Sequence, residues 1–252
     1  MRNRKSIQRT PTGFIFYRGP SMIDGKPIVA VAITKRSTNS KTGDVVQTYI
    51  MVDNGQSPIV NVRNLDDYSI CGDCRHRRGT GGACYVNLGQ GPRAVADGIV
   101  RGIYPQSLAS ARSASAKRVV RMGTYGDPMA VPYPAWLSLI ARASDHTGYS
   151  HQWRNESIDA GHRHNIMQLC MASADSVQDR DDAKAKQYRT FRIRLESQPV
   201  EPGEFICPAS AERGKRMTCA DCARCDGAGP TADPVIIVHG SLAKRFQPSV
   251  TL

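Results

Sequence analysis

From about residue 117 onward, short apolar segments alternate with helical or polar segments, and this alternation strongly constrains the fold. Short segments rich in β-branched and aromatic residues and bounded by turn residues are typical of strands. Strands that alternate with helices form βαβ units and a largely parallel sheet. We therefore predict an α/β fold whose main part is a partial or compact (β/α) barrel, with an open doubly wound sheet as the alternative. The predicted strands lie in RVVRMGTYGDP, TGYSHQW, NIMQLCMASADS, YRTFRIRLES, EFICPAS and PVIIVHGS, and the predicted helices in PAWLSLIARASD and VQDRDDAKAKQ.

The first part of the chain has a different pattern, which predicts β-structure. GFIFYRG, KPIVAVAIT and VVQTYIMVD are strand-like, and the polar stretch KRSTNSKTGD between the last two has turn chemistry. We expect an N-terminal β-rich segment over residues 1–65, with an antiparallel hairpin or small sheet, and a barrel-like domain over residues 66–252. In the second part, GPRAVADGIVRGIYP predicts a short helix, and SLASARSASAK is the stretch most typical of a linker.

The composition predicts a soluble protein with a polyanionic partner. Hydrophobic residues make up 40% of the chain, and no apolar run reaches the roughly 18 residues that cross a bilayer. The basic N-terminus has no apolar stretch behind it, so we expect a cytoplasmic protein without a secretory signal. The net charge of +12 favours nucleic acid over a merely solvated surface. The basic residues behind this prediction are MRNRK at the N-terminus, Arg75, Arg77, Arg78, Lys117, Arg118, Arg121, Arg189, Arg192 and Arg194.

A dense group of cysteines near the C-terminus predicts a metal site. Cys219, Cys222 and Cys225 form a CxxCxxC run, and Cys207 precedes it as a fourth ligand. In a reducing compartment such clusters bind metals more often than they form disulfides. Four thiolates suit a tetrahedral zinc ion or an iron–sulfur cluster, and the spacing does not choose between them. His239 is a reserve ligand.

A looser group lies upstream, at Cys71, Cys74 and Cys84. His76 can complete a Cys₃His site, three thiolates with an open position suit a catalytic metal, and the two groups can also converge in space. Free thiols are the alternative. Cys170 lies in an apolar stretch and is predicted to pack in the core.

Polar residues follow three of the predicted strands, where α/β proteins carry their chemistry. Asp127 and Asp175 are candidate catalytic residues, as nucleophile and general base, together with His151. A glycine-rich turn and aromatic side chains near them suit close contact with a planar base. The alternative for each aspartate is a turn or an N-cap role. The predicted substrate-binding residues are Gly123, Tyr125, Gly126, Tyr149 and Trp153.

Most of the chain resembles an uncharacterised type of protein carried by phages and other mobile elements. The stretches that carry this resemblance are GFIFYRGPSMIDGKPIVAVAIT, CGDC…GGACYVNLGQGP, RMGTYGDP, GYSHQW, YRTFRIR and CPAS…TCADCARC. The resemblance implies the host cell cytoplasm as the location, and it implies no particular activity.

Parts of the chain are similar to two enzyme families. Asp127, Asp175 and the group Cys219, Cys222, Cys225 with His239 resemble the guanine transglycosylases, which are barrels with paired aspartates and a structural zinc. This resemblance implies base exchange in DNA, and we take it as the first hypothesis. CGDC…ACYV and GTYGDP resemble the cluster loop and the glycine-rich S-adenosylmethionine-contacting motif of the radical SAM enzymes, which implies an iron–sulfur enzyme. The third hypothesis is a zinc-stabilised nucleic-acid-binding protein without enzymatic activity.

Overall fold

The computed structural model describes residues 10–37, 39–229 and 232–248, so the basic MRNRK at the N-terminus lies outside the described residues. Within these ranges, nine strands form one sheet with the order β1-β2-β3-β4-β5-β6-β7-β9-β8. The strands are β1 (Gly13–Pro20), β2 (Pro27–Ile33), β3 (Val46–Val52), β4 (Val119–Tyr125), β5 (Asp145–Ser150), β6 (Met171–Ala174), β7 (Thr190–Arg194), β8 (Glu204–Ile206) and β9 (Asp233–Ile237).

Helices occupy most of the connections between the strands. They are α1 (Pro58–Arg63), α2 (Tyr68–Cys71), α3 (Gly91–Val100), α4 (Leu108–Ala114), α5 (Tyr133–Ile140), α6 (Ala160–Met167), α7 (Val177–Ala185) and α8 (Cys219–Cys222). The structure confirms the mixed α/β class and the predicted helices in GPRAVADGIVRGIYP and PAWLSLIARASD. None of the helices in the described part of the chain has the length and apolar content needed to cross a membrane.

The N-terminal strands form the predicted antiparallel arrangement. β1 pairs with β2, and β2 pairs with β3 in a regular register from Ile28 opposite Val52 to Ile33 opposite Gln47. Residues 28–32 of β2 are almost completely buried, because the strand lies inside the sheet and both of its faces are covered. The core continues behind β1, where the rings of Phe16 and Trp136 lie 5.0 Å apart.

From β3 onward all strand pairs are parallel. The order along the sheet follows the order along the chain except for the exchange of β8 and β9. The sheet is open in the described residues, because no pairing connects β1 with β8. The carboxyl ends of parallel strands meet at one edge. That edge therefore carries the segments that follow each strand from β3 to β9.

Two segments differ from what their local sequence suggests. The stretch SLASARSASAK, the most linker-like in composition, contains α4, whose N-cap Ser107 accepts a hydrogen bond from the Ser110 amide and whose Ala111 is fully buried. Small residues let this helix pack closely on β1, so a linker-like composition here has a packing role. In NIMQLCMASADS, the first three residues end α6 and the strand is only Met171–Ala174. Asp159 caps that helix at the His162 amide, and Cys170 is buried in the turn before β6.

The strand β7 alternates as predicted, but its arginines lie on the buried side. Arg192 forms two hydrogen bonds to the Glu204 carboxylate, and Arg194 pairs with Glu212. Arg189 pairs with Asp226 and Asp233. These ion pairs neutralise three of the basic residues that the sequence assigned to a polyanionic partner, and the pair of Arg192 with Glu204 is fully buried. The opposite face of β7 directs Phe191 and Ile193 into a cavity.

Candidate functional site

Both cysteine groups line one cavity at the carboxyl edge of the parallel strands. The cavity has a volume of about 370 Å³. Its wall includes the first cysteine loop, the turn after β4, β7 and part of the C-terminal cysteine segment. The cysteines on the wall are Cys71, Cys74, Cys84, Cys207 and Cys219, and the predicted site residues beside them are Gly123, Tyr125, Gly126, Asp127, Tyr149 and His151. All eight cysteines of the chain are free thiols.

The first cysteine loop begins as a tight turn at the end of α2. The Cys74 amide donates to the Cys71 carbonyl oxygen at 3.2 Å, and Gly72 between them has φ 50° and ψ −135°. A Cβ atom at Gly72 would lie 2.2 Å from Gln152 Oε1, so this position requires glycine for both conformation and space. The turn therefore holds two thiols at the cavity wall.

The three thiols of this loop interact electrostatically. Burial raises the pKa of Cys71 and of Cys84, and the neighbouring thiols of the loop add to the rise at Cys71. A bound metal cation reverses such an effect, because it stabilises the thiolate form. In the described part of the chain, no three cysteine sulfurs all lie within 4.8 Å of one another. One tetrahedral zinc ion with bonds of 2.3 Å would require sulfurs about 3.8 Å apart.

The C-terminal cysteine segment is tied to several parts of the sheet. Thr218 and Asp221 form a capping box at α8, and the amide of Cys219 donates to the Lys41 carbonyl oxygen. The Cys225 carbonyl oxygen accepts from Gly148 in β5, and the Cys207 amide donates to Val235 in β9. The segment thus connects the turn between β2 and β3 with β5 and β9. Burial raises the pKa of Cys225, as it does for Cys207 and Cys219.

Asp127 lies on the cavity wall, where a catalytic aspartate was predicted, and it also caps the turn after β4, which was the alternative role. Its carboxylate accepts hydrogen bonds from the Met129 amide, the Ser150 hydroxyl and the His151 amide, at 3.0, 2.7 and 2.8 Å. Burial raises the pKa of Asp127 to about 6, although these hydrogen bonds act in the opposite direction. The carboxylate therefore fixes the turns after β4 and β5 relative to each other.

Asp175 lies at the end of β6 beside two histidines. Its Oδ1 is 2.8 Å from His76 Nε2 and 4.0 Å from His151 Nε2. Burial opposes its ionisation, but the hydrogen bond to His76 and the electrostatic effect of the neighbouring basic side chains together outweigh burial and lower its pKa. Burial lowers the pKa of His151 to about 4, so this imidazole is neutral at physiological pH. His76 belongs to this His/Asp cluster.

The aromatic residues predicted to bind substrate separate into two groups. Tyr149 lies on the cavity wall, with its ring 4.6 Å from the Phe191 ring and its hydroxyl against the Cys225 thiol. Tyr125 is also on the wall, and its buried hydroxyl has no partner in the described residues. The structure does not bring Trp153 into the cavity. Its ring is buried in the core, and its Nε1 donates to the Ser173 carbonyl oxygen at 2.9 Å.

The cavity has a basic corner that was not predicted, although Arg121 is among the basic residues assigned to a polyanionic partner. Lys41 and Arg121 lie on the wall, and neither forms an ion pair with a described acidic residue. Lys41 Nζ is 2.8 Å from His239 Nε2, and Arg121 donates to the Tyr85 hydroxyl at 2.9 Å. Burial and the two cations lower the pKa of His239 to about 4, so the neutral His239 ring accepts a hydrogen bond from Lys41. Lys41 is in a polar turn, where the sequence carried no signal for a cavity.

No protein-family model matches the chain, and neither a curated protein nor a solved structure shows significant similarity to it. The function is therefore argued from the chemistry of the cavity.

Proposed function

We propose that this protein is an iron–sulfur enzyme of the radical SAM type that modifies a base in nucleic acid. The observation that carries the proposal is the shared cavity of Cys71, Cys74 and Cys84 with the glycine turn from Gly123 to Asp127. In this proposal the three thiolates hold a cluster with one open position, and the glycine turn contacts the cosubstrate, S-adenosylmethionine. Such a cluster supplies one-electron chemistry when bound.

The three thiolates are ligands of the kind that hold iron–sulfur clusters in proteins, and a zinc ion on the same thiolates is the alternative. For Cys207, Cys219, Cys222 and Cys225 we propose a second metal centre, either a zinc ion or an iron–sulfur cluster.

The topology also supports this proposal. The parallel strands follow one another along the sheet from β3 to β7 without closure. We propose that this half is a partial (β/α) barrel, with the cysteine loop after its first strand and the glycine turn after its second. Both features come from the same edge, where such folds bind their ligands.

The cavity wall suits an anionic, planar substrate. Lys41 and Arg121 offer positive charge without an acidic partner, while Tyr85, Tyr149 and Phe191 offer aromatic surface. Phosphates bind to such cations and bases stack on such rings. We therefore propose nucleic acid, with DNA favoured, as the substrate.

Base exchange of the guanine transglycosylase type is the second candidate. Asp127 lies after β4 and Asp175 after β6, at the same edge of the sheet. His151 contacts both, through its backbone amide and its Nε2 atom respectively. The Asp127 carboxylate is engaged by three hydrogen-bond donors, so Asp175 is the better nucleophile in this mechanism. The C-terminal cysteines would then hold a structural zinc ion.

Anaerobic purification followed by visible spectroscopy and assays of iron, sulfide and zinc tests the proposal. We expect a brown protein that contains sulfide and consumes S-adenosylmethionine when a reductant is added. Alanine at Cys71, Cys74 or Cys84 should abolish this consumption and lower the iron content. Cys170→Ala is the matched control, because this thiol is buried outside the cavity wall.

A colourless protein that contains zinc only would overturn the iron–sulfur proposal. Exchange of labelled guanine into DNA, lost in Asp175→Asn, would then support the transglycosylase reaction. DNA binding without any turnover would support a non-enzymatic binding protein.

A further inference from the structure

Three potential metal ligands outside the cysteine groups converge at the carboxyl edge of the sheet. His76 comes from the first cysteine loop, His151 from the residue after β5, and Asp175 from the residue after β6. One ligand atom from each lies within 4.8 Å of the other two. This cluster is compact, whereas no three cysteine sulfurs of the described chain meet the same criterion.

The hydrogen bond within this cluster satisfies only two of its three potential ligand atoms. The 2.8 Å contact between His76 Nε2 and Asp175 Oδ1 satisfies those two atoms. His151 Nε2 is buried and has no hydrogen-bond partner in the described part of the chain. Leaving a buried polar nitrogen unpaired costs about 1–3 kcal/mol. A cation bound between the three side chains would satisfy all three ligand atoms.

The surrounding contacts hold the ligands in position. The Asp175 amide donates to Asp179 Oδ2 at 2.9 Å, and Asp179 pairs with Arg154 at 3.0 Å. The Phe246 ring stacks on the His76 ring with centroids 5.7 Å apart. Supporting contacts of this kind are typical of metal ligands, since they fix the orientation of carboxylate and imidazole groups.

The cluster lies between two cavities. His76 lines the cavity that holds the cysteine groups, and Asp175 lines a second, polar cavity of about 470 Å³, while His151 lines both. Arg154 and Asn155 are also on the wall of the polar cavity. An ion at the cluster would therefore have open coordination positions for water or for a ligand that enters from the polar side.

We propose that His76, His151 and Asp175 form a mononuclear site for a divalent transition-metal ion, separate from both cysteine groups. Two imidazoles and one carboxylate with open positions suit iron(II), manganese(II), cobalt(II) or zinc, whereas thiolate sites select softer ions. The inference does not depend on whether the cysteines bind iron–sulfur clusters, since it uses none of them.

Titration of the full-length protein with manganese(II), followed by electron paramagnetic resonance, tests the site. Manganese(II) prefers nitrogen and oxygen ligands, so it discriminates against the cysteine groups. We expect one bound ion per chain. His151→Gln and Asp175→Asn should weaken binding by more than the roughly 10–100-fold that loss of a supporting residue causes. Binding should persist in Cys71→Ala and in His162→Gln, the control for a buried histidine bonded to the Met129 carbonyl oxygen.

Pulsed measurements on the unsubstituted protein provide a readout that does not depend on the folding of variants. Couplings from two histidine nitrogens to the bound manganese(II) would support the site. Absence of tight binding, or binding without nitrogen coupling, would overturn the proposal. Equal affinity of well-folded His151→Gln and the unsubstituted protein would also overturn it.

Discussion

Gln152 Nε2 donates a 2.8 Å hydrogen bond to the carbonyl oxygen of Cys71, which lies 81 residues earlier in the chain. Gln152 Oε1 accepts a 3.1 Å hydrogen bond from the Asp73 amide, so one side chain holds both sides of Gly72. The turn after β5 and the first cysteine loop therefore form one structural unit. A buried glutamine that satisfies two backbone groups is a positioning residue for the thiols.

We expect Gln152→Ala to lower the free energy of unfolding by about 1–3 kcal/mol, because it leaves backbone groups without partners. The content of the cluster that we propose for the first cysteine loop should fall as well. Urea unfolding and metal analysis measure these effects. Gln178→Ala is the control, since Gln178 makes only an exposed hydrogen bond to Asp182 on α7. Equal metal content in both variants would contradict the positioning role.

Gly72→Ala should destabilise the protein by more than about 2 kcal/mol, since the added Cβ atom meets Gln152 Oε1 and the backbone has a positive φ. Gly55→Ala separates the two effects. Gly55 has φ 72°, but a Cβ atom there meets no heavy atom within 4 Å. Gly55→Ala should therefore lower the free energy of unfolding by only about 1–2 kcal/mol. Thermal unfolding of both variants measures the difference, and similar losses would argue against the close approach at Gly72.

Glu204→Gln removes the charge that neutralises Arg192 in the interior, where both side chains are fully buried. We expect a loss of about 3–5 kcal/mol at neutral pH, because the guanidinium group keeps its charge. Asp97→Asn is the control, and its exposed pair with Arg93 should contribute less than about 1 kcal/mol.

The stability difference between the unsubstituted protein and Glu204→Gln should depend on pH through the pKa of Glu204. Burial raises this pKa, but the hydrogen bonds from Arg192 and the Glu201 amide and the charges of Arg192 and Arg180 together outweigh burial and hold it below the ordinary value of 4.5. A lowered pKa stabilises the fold above 4.5, and this stabilisation is lost as the pH falls further. The stability gap between the unsubstituted protein and Glu204→Gln should therefore narrow below pH 4.5. A gap that stays constant down to strongly acidic pH would contradict this assignment.

Arg121→Gln should weaken the binding of a short single-stranded DNA oligonucleotide by about tenfold or more, because a charged donor on the cavity wall is lost. Arg93→Gln removes the same charge from an exposed helix surface. Fluorescence anisotropy at one fixed salt concentration compares the two. Equal losses would indicate that only the overall charge of the protein matters, and that DNA does not enter the cavity.

Local sequence patterns were sufficient to predict most of the strands and helices. The β-branched stretches of β2 and β3 and the apolar face of α5 are signals within a few residues, and the structure confirms them. The helix α4 could not be read from its linker-like composition, because Ala and Ser are equally compatible with a flexible chain and with a closely packed helix. Contact with β1 makes that difference, and it is not a local property.

The location of a site at the carboxyl edge of the parallel strands was foreseeable, because strand–helix alternation brings the strand ends together. Asp127, His151 and Asp175 were predicted at this edge for that reason, and the cysteine spacing indicated the two thiol groups. The pairing of His76 with Asp175, 99 residues apart, was not foreseeable. The orientation of Phe191 on β7 towards the cavity was not foreseeable either. Alternation along a strand does not show which of its two faces lies on which side of the sheet.

Secondary structure and the grouping of chemical residue types follow from short-range steric and hydrophobic preferences, which a linear sequence records directly. The neutralisation of Arg192 by Glu204, the open sheet and the assembly of His76, His151 and Asp175 depend on long-range packing. Their free energies come from burial and from contacts between distant segments, and these exist only once the whole sheet has formed.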